Sequence, residues 1–448
     1  MNMKIAEVRY NPGHGDEPDS RNSSAGVVEL PLSKSVALRV MTLNGVCRAQ
    51  NVAEAYIPEY PDAEDVEGME RALDHLTDAG GRNCVYIGEG GAPVRFFTAL
   101  AASVEGVDLT VSGSRGLMKR PLGILLDGLR EAGADVRSLR RESHLPLRII
   151  GRRLKAREIE MNPGVSSQFI SALLLASPLW TGGQKILFVG ATPVSMPYIR
   201  MTLEIMSRFG IKSSIETDEA GNLTISTPPA LCSAPKEFPI EPDWSAASYF
   251  YEAAILLPDT PVRLKSLTPS GSSLQGDSRC AEIFGKLGVE TKIAESGEAE
   301  LICRSEKLAE VIESREIQEW DMNDTPDLVP ALAVGFALAG VRFCFTSVHH
   351  LRHKETDRLA SLQTEMRKLG YVLQADEDSL FWDGELCKPE EAPLISTYSD
   401  HRMAMAFAPA ACRFDEIKIE RPEVVGKSFP RYWEMLSGLG FQISNIDL

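Results

Sequence analysis

The chain has 448 residues, with 47 Lys or Arg and 63 Asp or Glu, which gives a formal net charge of −16. This length is enough for two or three domains with large cores. The negative charge argues against a general nucleic-acid or anionic-membrane surface, because either would need a basic face. Any anion-binding site must therefore be a local concentration of cations.

The eight cysteines occur singly, without a CxxC pair, and lie along apolar segments. This pattern favours reduced core thiols in a cytoplasmic protein over a disulfide scaffold. The N-terminus has no signal-type apolar region, and the longest apolar run, residues 329–341, is too short to span a bilayer. We expect a soluble, cytoplasmic protein without a membrane partner.

A helix that ends in glycine and is followed by alternating residues recurs along the chain. The six copies end at Gly80, Gly133, Gly210, Gly288, Gly370 and Gly440. In each copy the apolar spacing is helical, the glycine suits a left-handed helix cap, and the next residues alternate as in a strand. Six copies, three in each half, predict a repeated α/β unit.

A proline-rich segment, residues 228–242, predicts the boundary between the halves near residues 240–244. The early segment VVELPLSKS, which reads as a strand, is expected to run between the domains because Lys34 resembles a catalytic residue. The predicted N-terminal domain is 33–240. The predicted C-terminal domain is 1–32 plus 241–448.

Polar groups lie at several predicted helix starts. The strand of residues 84–87 runs into a glycine-rich turn, 88–91, before a predicted helix at 95–102. Other such starts are at 163–168, 243–245, 325–327 and 400–402. Backbone N–H groups at helix starts bind anions, although caps at these positions are also ordinary structural features.

Cations accompany these starts, which capping alone does not predict. They are Lys34, Arg39, Arg120, Lys354, Arg358, Arg402 and Lys427. Helix N-termini and cations aimed at one cleft would bind a ligand that carries several negative charges.

The segment 349–359, HHLRHKETDRL, is the most charged of these stretches. Because no glycine or proline follows until Gly370, it is predicted to open a helix with Lys354, Glu355 and Arg358 in its first turn. Lys354 and Arg358, four residues apart, would then face the same side and hold an anion. Glu355 would lie beside them as an acid/base.

Two other interpretations of this segment stay open. It could be a solvated charged face. It could also be a metal site, with His349, His350 and His353 joined by Asp400 and His401. The missing HExxH frame and the neighbouring cations disfavour a metal ion.

Eight motifs resemble, in order, the signatures of the 5-enolpyruvylshikimate-3-phosphate synthase family. They are LPLSKSVALR, PGVSSQFISALL, SMPYIRMTL, DWSAASYF, DMNDTPD, HKETDRL, YSDHRMAMAF and GKSFPRYW. They extend across nearly the full length and are specific as a set. The resemblance implies the α/β, two-domain enolpyruvyl transferase fold. Each domain would have three βαβαββ-type units, with helix N-termini directed at an interdomain cleft over which the domains close.

The resemblance also implies an activity. The family transfers the enolpyruvyl group of phosphoenolpyruvate to the 5-hydroxyl of shikimate 3-phosphate and releases phosphate, a step towards chorismate and the aromatic amino acids. Both substrates are polyanions, as the helix starts require. No metal or organic cofactor and no nucleic-acid partner are implied, and a monomer is expected.

Site residues follow from the resemblance by position. Those implied for shikimate 3-phosphate are Lys34, Ser35, Arg39, Ser166, Ser167, Gln168, Ser195, Tyr198, Asp327, His350 and Lys354. Those implied for phosphoenolpyruvate are Lys34, Gly91, Arg120, Gln168, Arg358, Arg402 and Lys427. The implied catalytic residues are Asp327 as the base near the 5-hydroxyl, Glu355 as the group that exchanges protons at the methylene carbon, and Lys34 between the substrates. His401 is expected to be structural.

Four positions depart from the family pattern. Leu32 stands where the family has glycine, Glu89 replaces an amide and Ala92 replaces a threonine. A carboxylate near the phosphate of phosphoenolpyruvate would weaken binding unless it pairs with a cation or points away. His350 stands where the family has asparagine.

Two alternative functions are weighed against this one. The sister transferase acting on UDP-N-acetylglucosamine has asparagine after its early lysine and a cysteine before its arginine. Here Lys34 precedes Ser35, and residues 112–120 contain no cysteine. A non-catalytic anion-binding relative is disfavoured because Asp327, Glu355 and Lys34 are all present.

Overall fold

The computed structural model describes residues 4–11, 26–76, 83–155 and 158–445. The chain divides into two compact units, unit 1 (Met1–Pro31 with Glu241–Leu448) and unit 2 (Leu32–Ile240). The domains predicted from the sequence differ from this division only in the assignment of Leu32. Among the described residues no helix combines the length and the apolar character that crossing a lipid bilayer requires.

The α-helices of the described residues are α1 (Lys34–Ala49), α2 (Glu64–Asp74), α3 (Gly91–Ser103), α4 (Gly123–Glu131), α5 (Ser167–Ala176), α6 (Met196–Arg208), α7 (Trp244–Leu256), α8 (Cys280–Lys286), α9 (Ser305–Ser314), α10 (Val329–Ala339), α11 (Arg358–Lys368), α12 (His401–Phe407) and α13 (Tyr432–Ser437). Among the short 3₁₀ turns, Pro326–Leu328 leads into α10, and His349–His353 lies before α11.

The strands are β1 (Ile5–Tyr10), β2 (Val27–Val28), β3 (Asn83–Tyr86), β4 (Asp108–Ser112), β5 (Asp135–Ser138), β6 (Leu147–Ile150), β7 (Glu158–Glu160), β8 (Gln184–Phe188), β9 (Ser214–Thr217), β10 (Leu223–Thr227), β11 (Val262–Leu264), β12 (Val289–Ile293), β13 (Ala299–Cys303), β14 (Gln318–Asp321), β15 (Phe343–Thr346), β16 (Gln374–Ala375), β17 (Ser379–Trp382), β18 (Leu394–Ile395), β19 (Ile417–Glu420) and β20 (Phe441–Ser444).

The described strands form five four-stranded sheets that share one pattern of connection. In the order β3-β4-β6-β5, the first two strands are parallel and the other pairs are antiparallel. A helix follows each of the first two strands, so the chain runs β-α-β-α-β-β. In the order β18-β19-β1-β20 the fourth strand of the repeat is β1, so the N-terminal strand completes the last repeat.

Unit 2 is inserted in the chain within another repeat. In the sheet β12-β13-β11-β2, strands β2 and β11 are the parallel pair, and residues 32–240 lie between β2 and α7. The segment VVELPLSKS is therefore strand only at Val27–Val28, and Lys34 is already the first residue of α1.

The glycine repeat predicted from the sequence is confirmed at five positions, where φ is +97° at Gly133, +79° at Gly210, +100° at Gly288, +92° at Gly370 and +91° at Gly440. Each glycine lies between a helix and an edge strand of its sheet. Glycine adopts this left-handed conformation without a Cβ clash and so lets the chain reverse from helix to strand. The sixth copy, at Gly80, lies outside the described residues.

Two local predictions were wrong, and a third placed a helix start too late. The helix predicted to contain Lys354 and Glu355 begins only at Arg358, because the side chain of Asp357 caps it by accepting from the Ala360 N–H. The helix predicted at 95–102 is confirmed within α3, although α3 begins four residues earlier, at Gly91. All eight cysteines are free, but Cys84 is exposed rather than buried in the core.

Helix α10 is the centre of the core of unit 1, and all its residues are buried. It packs on α7 and α12, and such a helix is apolar on every side because no face meets water. Gly335 allows the close approach to α7, since a Cβ there would lie 3.0 Å from Cγ of Glu252.

Glu252 is an unusual member of this core. Its side chain is fully buried, and within the described part of the chain neither carboxyl oxygen has a hydrogen-bond partner. Burial raises the pKa of Glu252 well above its ordinary value of 4.5. The folded protein therefore holds this carboxyl as the neutral acid at neutral pH.

Glu252 should make stability fall as pH rises. Between the unfolded-state pKa and the higher folded-state pKa, the folded state keeps the proton of Glu252 and the unfolded state loses it. The stability that the neutral acid contributes is therefore complete below the unfolded-state pKa and is lost as the pH rises to the folded-state pKa. We expect wild type to lose up to about 1.4 kcal/mol per pH unit relative to Glu252→Gln over this range. Denaturant unfolding at about pH 5 to 8 measures it. The exposed Glu310→Gln is the control, and parallel curves for wild type and Glu252→Gln would contradict the prediction.

Candidate active site

In unit 1 one buried guanidinium joins three carboxylates. Arg358 has 1% of its side chain exposed. Its Nε donates to Oδ2 of Asp400 at 2.8 Å, its Nη1 to Oδ1 of Asp327 at 2.9 Å, and its Nη2 to Oε2 of Glu355 at 2.8 Å. These carboxylates stand before α12, α10 and α11, so Arg358 brings together the starts of three helices.

Asp327 has cations on several sides. Nη2 of Arg402 donates to its Oδ2 at 2.8 Å, and Nζ of Lys354 lies 3.6 Å from its Oδ1. Burial alone would raise the pKa of Asp327, but Arg402, Lys354 and Arg358 together hold it well below its ordinary value. Lys354 and Arg358 thus meet at Asp327, although the shared helical turn predicted for them is absent.

Asp400 is a buried helix cap as well as a partner of Arg358. Its Oδ1 accepts from the Arg402 N–H at 2.9 Å. Burial opposes the charge of Arg358, but Asp400, Glu355 and Asp327 raise its pKa above its ordinary value. Lys427 is tied to the same region, since its Nζ donates to the Ser399 carbonyl at 3.0 Å.

The histidines of residues 349–353 are not grouped as metal ligands in the described structure. Nδ1 of His349 lies 2.7 Å from Oδ1 of Asp378. Burial first, and then Lys354 and His349, lower the pKa of His350 to about 4, so it is neutral at neutral pH. No group of three or more His, Cys, Asp or Glu side chains in the described ranges is arranged to hold a metal ion.

In unit 2 a second cationic cluster surrounds the start of α3. Nη1 of Arg95 donates to Oε1 of Gln168 at 2.7 Å. A Cβ at Gly91 would lie 2.6 Å from Nη1 of Arg95, 3.1 Å from Nη1 of Arg120 and 3.5 Å from Oε1 of Gln168. Two guanidiniums, an amide and a helix N-terminus therefore meet at Gly91, an arrangement suited to an anion.

Lys34 lies beside this cluster. Its Nζ donates to Oδ2 of Asp65 at 3.1 Å. A Cβ at Gly90 would lie 2.7 Å from Oδ1 of the same carboxylate. Asp65 thus holds the ammonium near the start of α3, while Glu89 is exposed on the preceding turn.

Two of the remaining predicted residues of unit 2, Ser35 and Tyr198, contact Arg39, which links three helices. Its Nε donates to Oγ1 of Thr202 at 2.7 Å, and its Nη1 donates to the Ser35 carbonyl at 2.7 Å. Its Nη2 makes longer contacts to Ser171 and to the Tyr198 carbonyl. All of these acceptors are neutral, and burial lowers the pKa of Arg39 to about 10.

Three serines stand at the starts of the adjoining helices. Ser166 caps α5 by accepting from the Gln168 N–H, and Ser167 is the first residue of α5. Ser195 precedes α6 with φ of +57°, but its side chain makes no capping hydrogen bond. Helices α5 and α6 pack together. The same two helices also supply the Ser171 and Thr202 hydroxyls that contact Arg39.

The chain that carries these clusters can be compared with known proteins. The sequence profile of the EPSP synthase (3-phosphoshikimate 1-carboxyvinyltransferase) family matches residues 77–436. The chain belongs to this family.

Relatives and solved structures agree with the match. A 3-phosphoshikimate 1-carboxyvinyltransferase of Bacteroides fragilis is 40% identical over 417 residues, which cover 93% of this chain and 95% of the relative. That of Ralstonia pickettii is 32% identical over 447 residues, covering 93% and 97%.

Two solved structures bear on the fold. The EPSP synthase from Acinetobacter baumannii has a TM-score of 0.70 at 19% identity, covering 98% of this chain and 99% of that one. The enolpyruvyl transferase NikO from Streptomyces tendae has a TM-score of 0.65 at 16% identity, covering 99% of both. The predicted two-domain enolpyruvyl transferase fold is confirmed.

Some members of these clusters were not predicted from the sequence. Arg95 was predicted only as a helix residue, yet it contacts Gln168 directly. Its position four residues after Gly91, one helical turn on, was the available signal. Asp400 was proposed only as a metal ligand or a cap, and Asp65 was not singled out. A carboxylate that pairs with a cation far along the chain leaves no local pattern.

We expect Arg358→Met to destabilise unit 1 strongly. It would leave the carboxylates of Asp327, Glu355 and Asp400 in a largely buried site without their shared cation. Breaking a buried ion pair in this way costs about 3–5 kcal/mol. Urea unfolding measures the change. Arg358→Lys keeps the charge but cannot reach three carboxylates at once, so an intermediate loss is expected. A loss below about 1 kcal/mol for Arg358→Met would show that the network is not stabilising.

Proposed function

We propose that this chain transfers the enolpyruvyl group of phosphoenolpyruvate to the 5-hydroxyl of shikimate 3-phosphate and releases phosphate. The observation that carries the proposal is the placement of Asp327 and Glu355 on one guanidinium, that of Arg358. Two carboxylates at the starts of successive helices of one repeat, α10 and α11, then stand ready as base and acid, as the addition and elimination steps require. Membership of the EPSP synthase family supports this reaction.

The addition step forms the bond from the 5-oxygen to C2 of phosphoenolpyruvate. Asp327 accepts the proton of the 5-hydroxyl, and the proton that Glu355 carries in this step goes to the methylene carbon. In the elimination step Glu355 takes a proton back from that carbon and the bond from C2 to the phosphate oxygen breaks. Lys34 contributes positive charge to both substrates.

Anionic substrates would also change the pKa of Asp327, the proposed base. Arg402, Arg358 and Lys354 hold the pKa of Asp327 well below its ordinary value. A substrate carboxylate or phosphate that binds these cations competes with Asp327 for them. Substrate binding therefore raises the basicity of Asp327, so the base becomes effective when its substrate is bound.

We propose for each substrate the ligands that the family resemblance implies. The proposed phosphoenolpyruvate ligands are Lys34, Gly91, Arg120, Gln168, Arg358, Arg402 and Lys427. Those proposed for shikimate 3-phosphate are Lys34, Ser35, Arg39, Ser166, Ser167, Gln168, Ser195, Tyr198, Asp327, His350 and Lys354. Arg39 supports the second set, because a buried cation with neutral partners is stabilised by an anion nearby.

His350 fits the shikimate side in its neutral form. With a pKa of about 4, it offers one ring nitrogen as donor and the other as acceptor, as an amide offers two groups. The eight free cysteines support a reducing compartment, and we propose a cytoplasmic monomer that uses no metal ion.

Phosphate release tests the reaction. We expect wild type to release phosphate from phosphoenolpyruvate only with shikimate 3-phosphate, and equally well with a chelator. Glu355→Gln should lower kcat by about 10²–10⁴-fold, because the amide cannot exchange protons with carbon. The exposed Glu313→Gln is the control. Release with UDP-N-acetylglucosamine instead would reassign the substrate, and no release with either would favour a binding protein.

Gly91 tests the phosphoenolpyruvate assignment. A methyl group at this residue would meet Nη1 of Arg95 at 2.6 Å and Nη1 of Arg120 at 3.1 Å, so the guanidiniums must move. We expect Gly91→Ala to raise the KM for phosphoenolpyruvate by about tenfold or more, because small misplacements of binding groups are costly. The KM for shikimate 3-phosphate should change less.

The matched control for this substitution is Gly116→Ala, whose new Cβ would meet only Oγ of Ser114 at 3.6 Å. It should leave both KM values unchanged. Equal KM values for phosphoenolpyruvate in Gly91→Ala and wild type would place that substrate elsewhere.

A further inference from the structure

The segment from β18 to the start of α12 is anchored to α11 by a buried carboxylate. Glu365 is fully buried. Its Oε1 accepts from the Tyr398 hydroxyl at 2.6 Å, and its Oε2 accepts from the Ser396 N–H at 3.1 Å. Nζ of Lys368 lies 2.6 Å from the same Oε2 and also donates to the Leu394 carbonyl at 2.7 Å. The carboxylate thus binds two points of this segment.

The backbone is strained where it is anchored. Tyr398 and Ser399 have φ of +53° and +62°, and Arg421, which donates to the Ser399 hydroxyl, has φ of +53°. Residues with a Cβ adopt the left-handed conformation at a cost, and they keep it only where the surroundings enforce it. The bond from Tyr398 to Glu365 is one of the contacts that hold these two consecutive left-handed residues.

This strained turn leads directly into the candidate active site. The Ser399 carbonyl accepts from Nζ of Lys427 at 3.0 Å. The next residue, Asp400, contacts Nε of Arg358 and caps α12 at Arg402. A change in the turn would therefore move the acceptors of two cations, Lys427 and Arg358, and the start of the helix that carries Arg402.

We propose that Glu365 is a positioning residue for phosphoenolpyruvate binding, acting through the turn at Tyr398 and Ser399. The inference rests on the proposed function, because Lys427, Arg358 and Arg402 are proposed there as ligands of phosphoenolpyruvate. Glu365 touches no substrate in this assignment. It holds the backbone that presents the Ser399 carbonyl to Lys427.

Tyr398→Phe removes only the hydroxyl. The side chain is 40% exposed, so the variant should fold, and its thermal midpoint verifies this. We expect the KM for phosphoenolpyruvate to rise about tenfold, equivalent to about 1.4 kcal/mol. The KM for shikimate 3-phosphate should stay within about twofold, since a local change in these cations affects one substrate. The control is Tyr371→Phe, a half-buried tyrosine that packs on Trp382.

A double-mutant cycle with Lys427→Met separates positioning from a general loss of structure. Once the ammonium is gone, Tyr398→Phe should raise the KM for phosphoenolpyruvate by less than about twofold, because coupled residues act non-additively. Glu365→Gln keeps a carbonyl acceptor for Tyr398, so its effect should be smaller than that of Glu365→Ala. Equal effects of Tyr398→Phe in both backgrounds, or equal rises in both KM values, would overturn the proposal.

Titration calorimetry with phosphoenolpyruvate keeps the two proposals distinguishable. Wild type that binds phosphoenolpyruvate but shows no turnover would contradict the proposed function alone. The ratio of Kd values between Tyr398→Phe and wild type would then test the positioning role without turnover. A ratio near one, or no binding by wild type, would overturn it.

Discussion

Arg358 donates to Asp327, Glu355 and Asp400 with almost none of its own surface exposed. Burying a guanidinium costs several kcal/mol unless each of its donors is paired, and here the acceptors come from three separate helix starts. The cost is offset only when α10, α11 and α12 are all in place. The charged network around Arg358 therefore forms only when unit 1 is folded.

The repeat explains why such groups converge. In every described sheet a helix follows each of the first two strands, and a left-handed glycine returns the chain to an edge strand where the sequence predicted the repeat. The helices α10 and α12 each follow the first strand of their repeat, so equivalent turns place Asp327 and Asp400 before them. Repetition of one βαβαββ unit thus supplies several polar helix starts without a dedicated loop for each.

Unit 2 pairs its buried guanidinium groups with a different kind of acceptor. Arg39 is as buried as Arg358, but its acceptors are hydroxyls and backbone carbonyls, and its pKa is lowered to about 10 rather than raised. Arg95 likewise donates to an amide, that of Gln168. Cations with neutral partners gain most from an anionic ligand, whereas the cations around Asp327 already have carboxylates that a ligand must displace. The two units therefore place their cations in different electrostatic environments.

Periodicity and glycine spacing were enough to predict the α/β repeats, because a helix cap and strand alternation are local properties of the chain. The motifs around Lys34, Asp327 and Glu355 were enough to predict the family. The sequence did not predict that α11 begins only at Arg358, because the Asp357 cap competes with a uniform helical pattern. Nor did it show the pairing of Lys34 with Asp65, of Arg95 with Gln168, or of Arg358 with Asp400. Those contacts join residues 31 to 73 positions apart, so only the packed repeats bring them within hydrogen-bond distance and set the charges at the site.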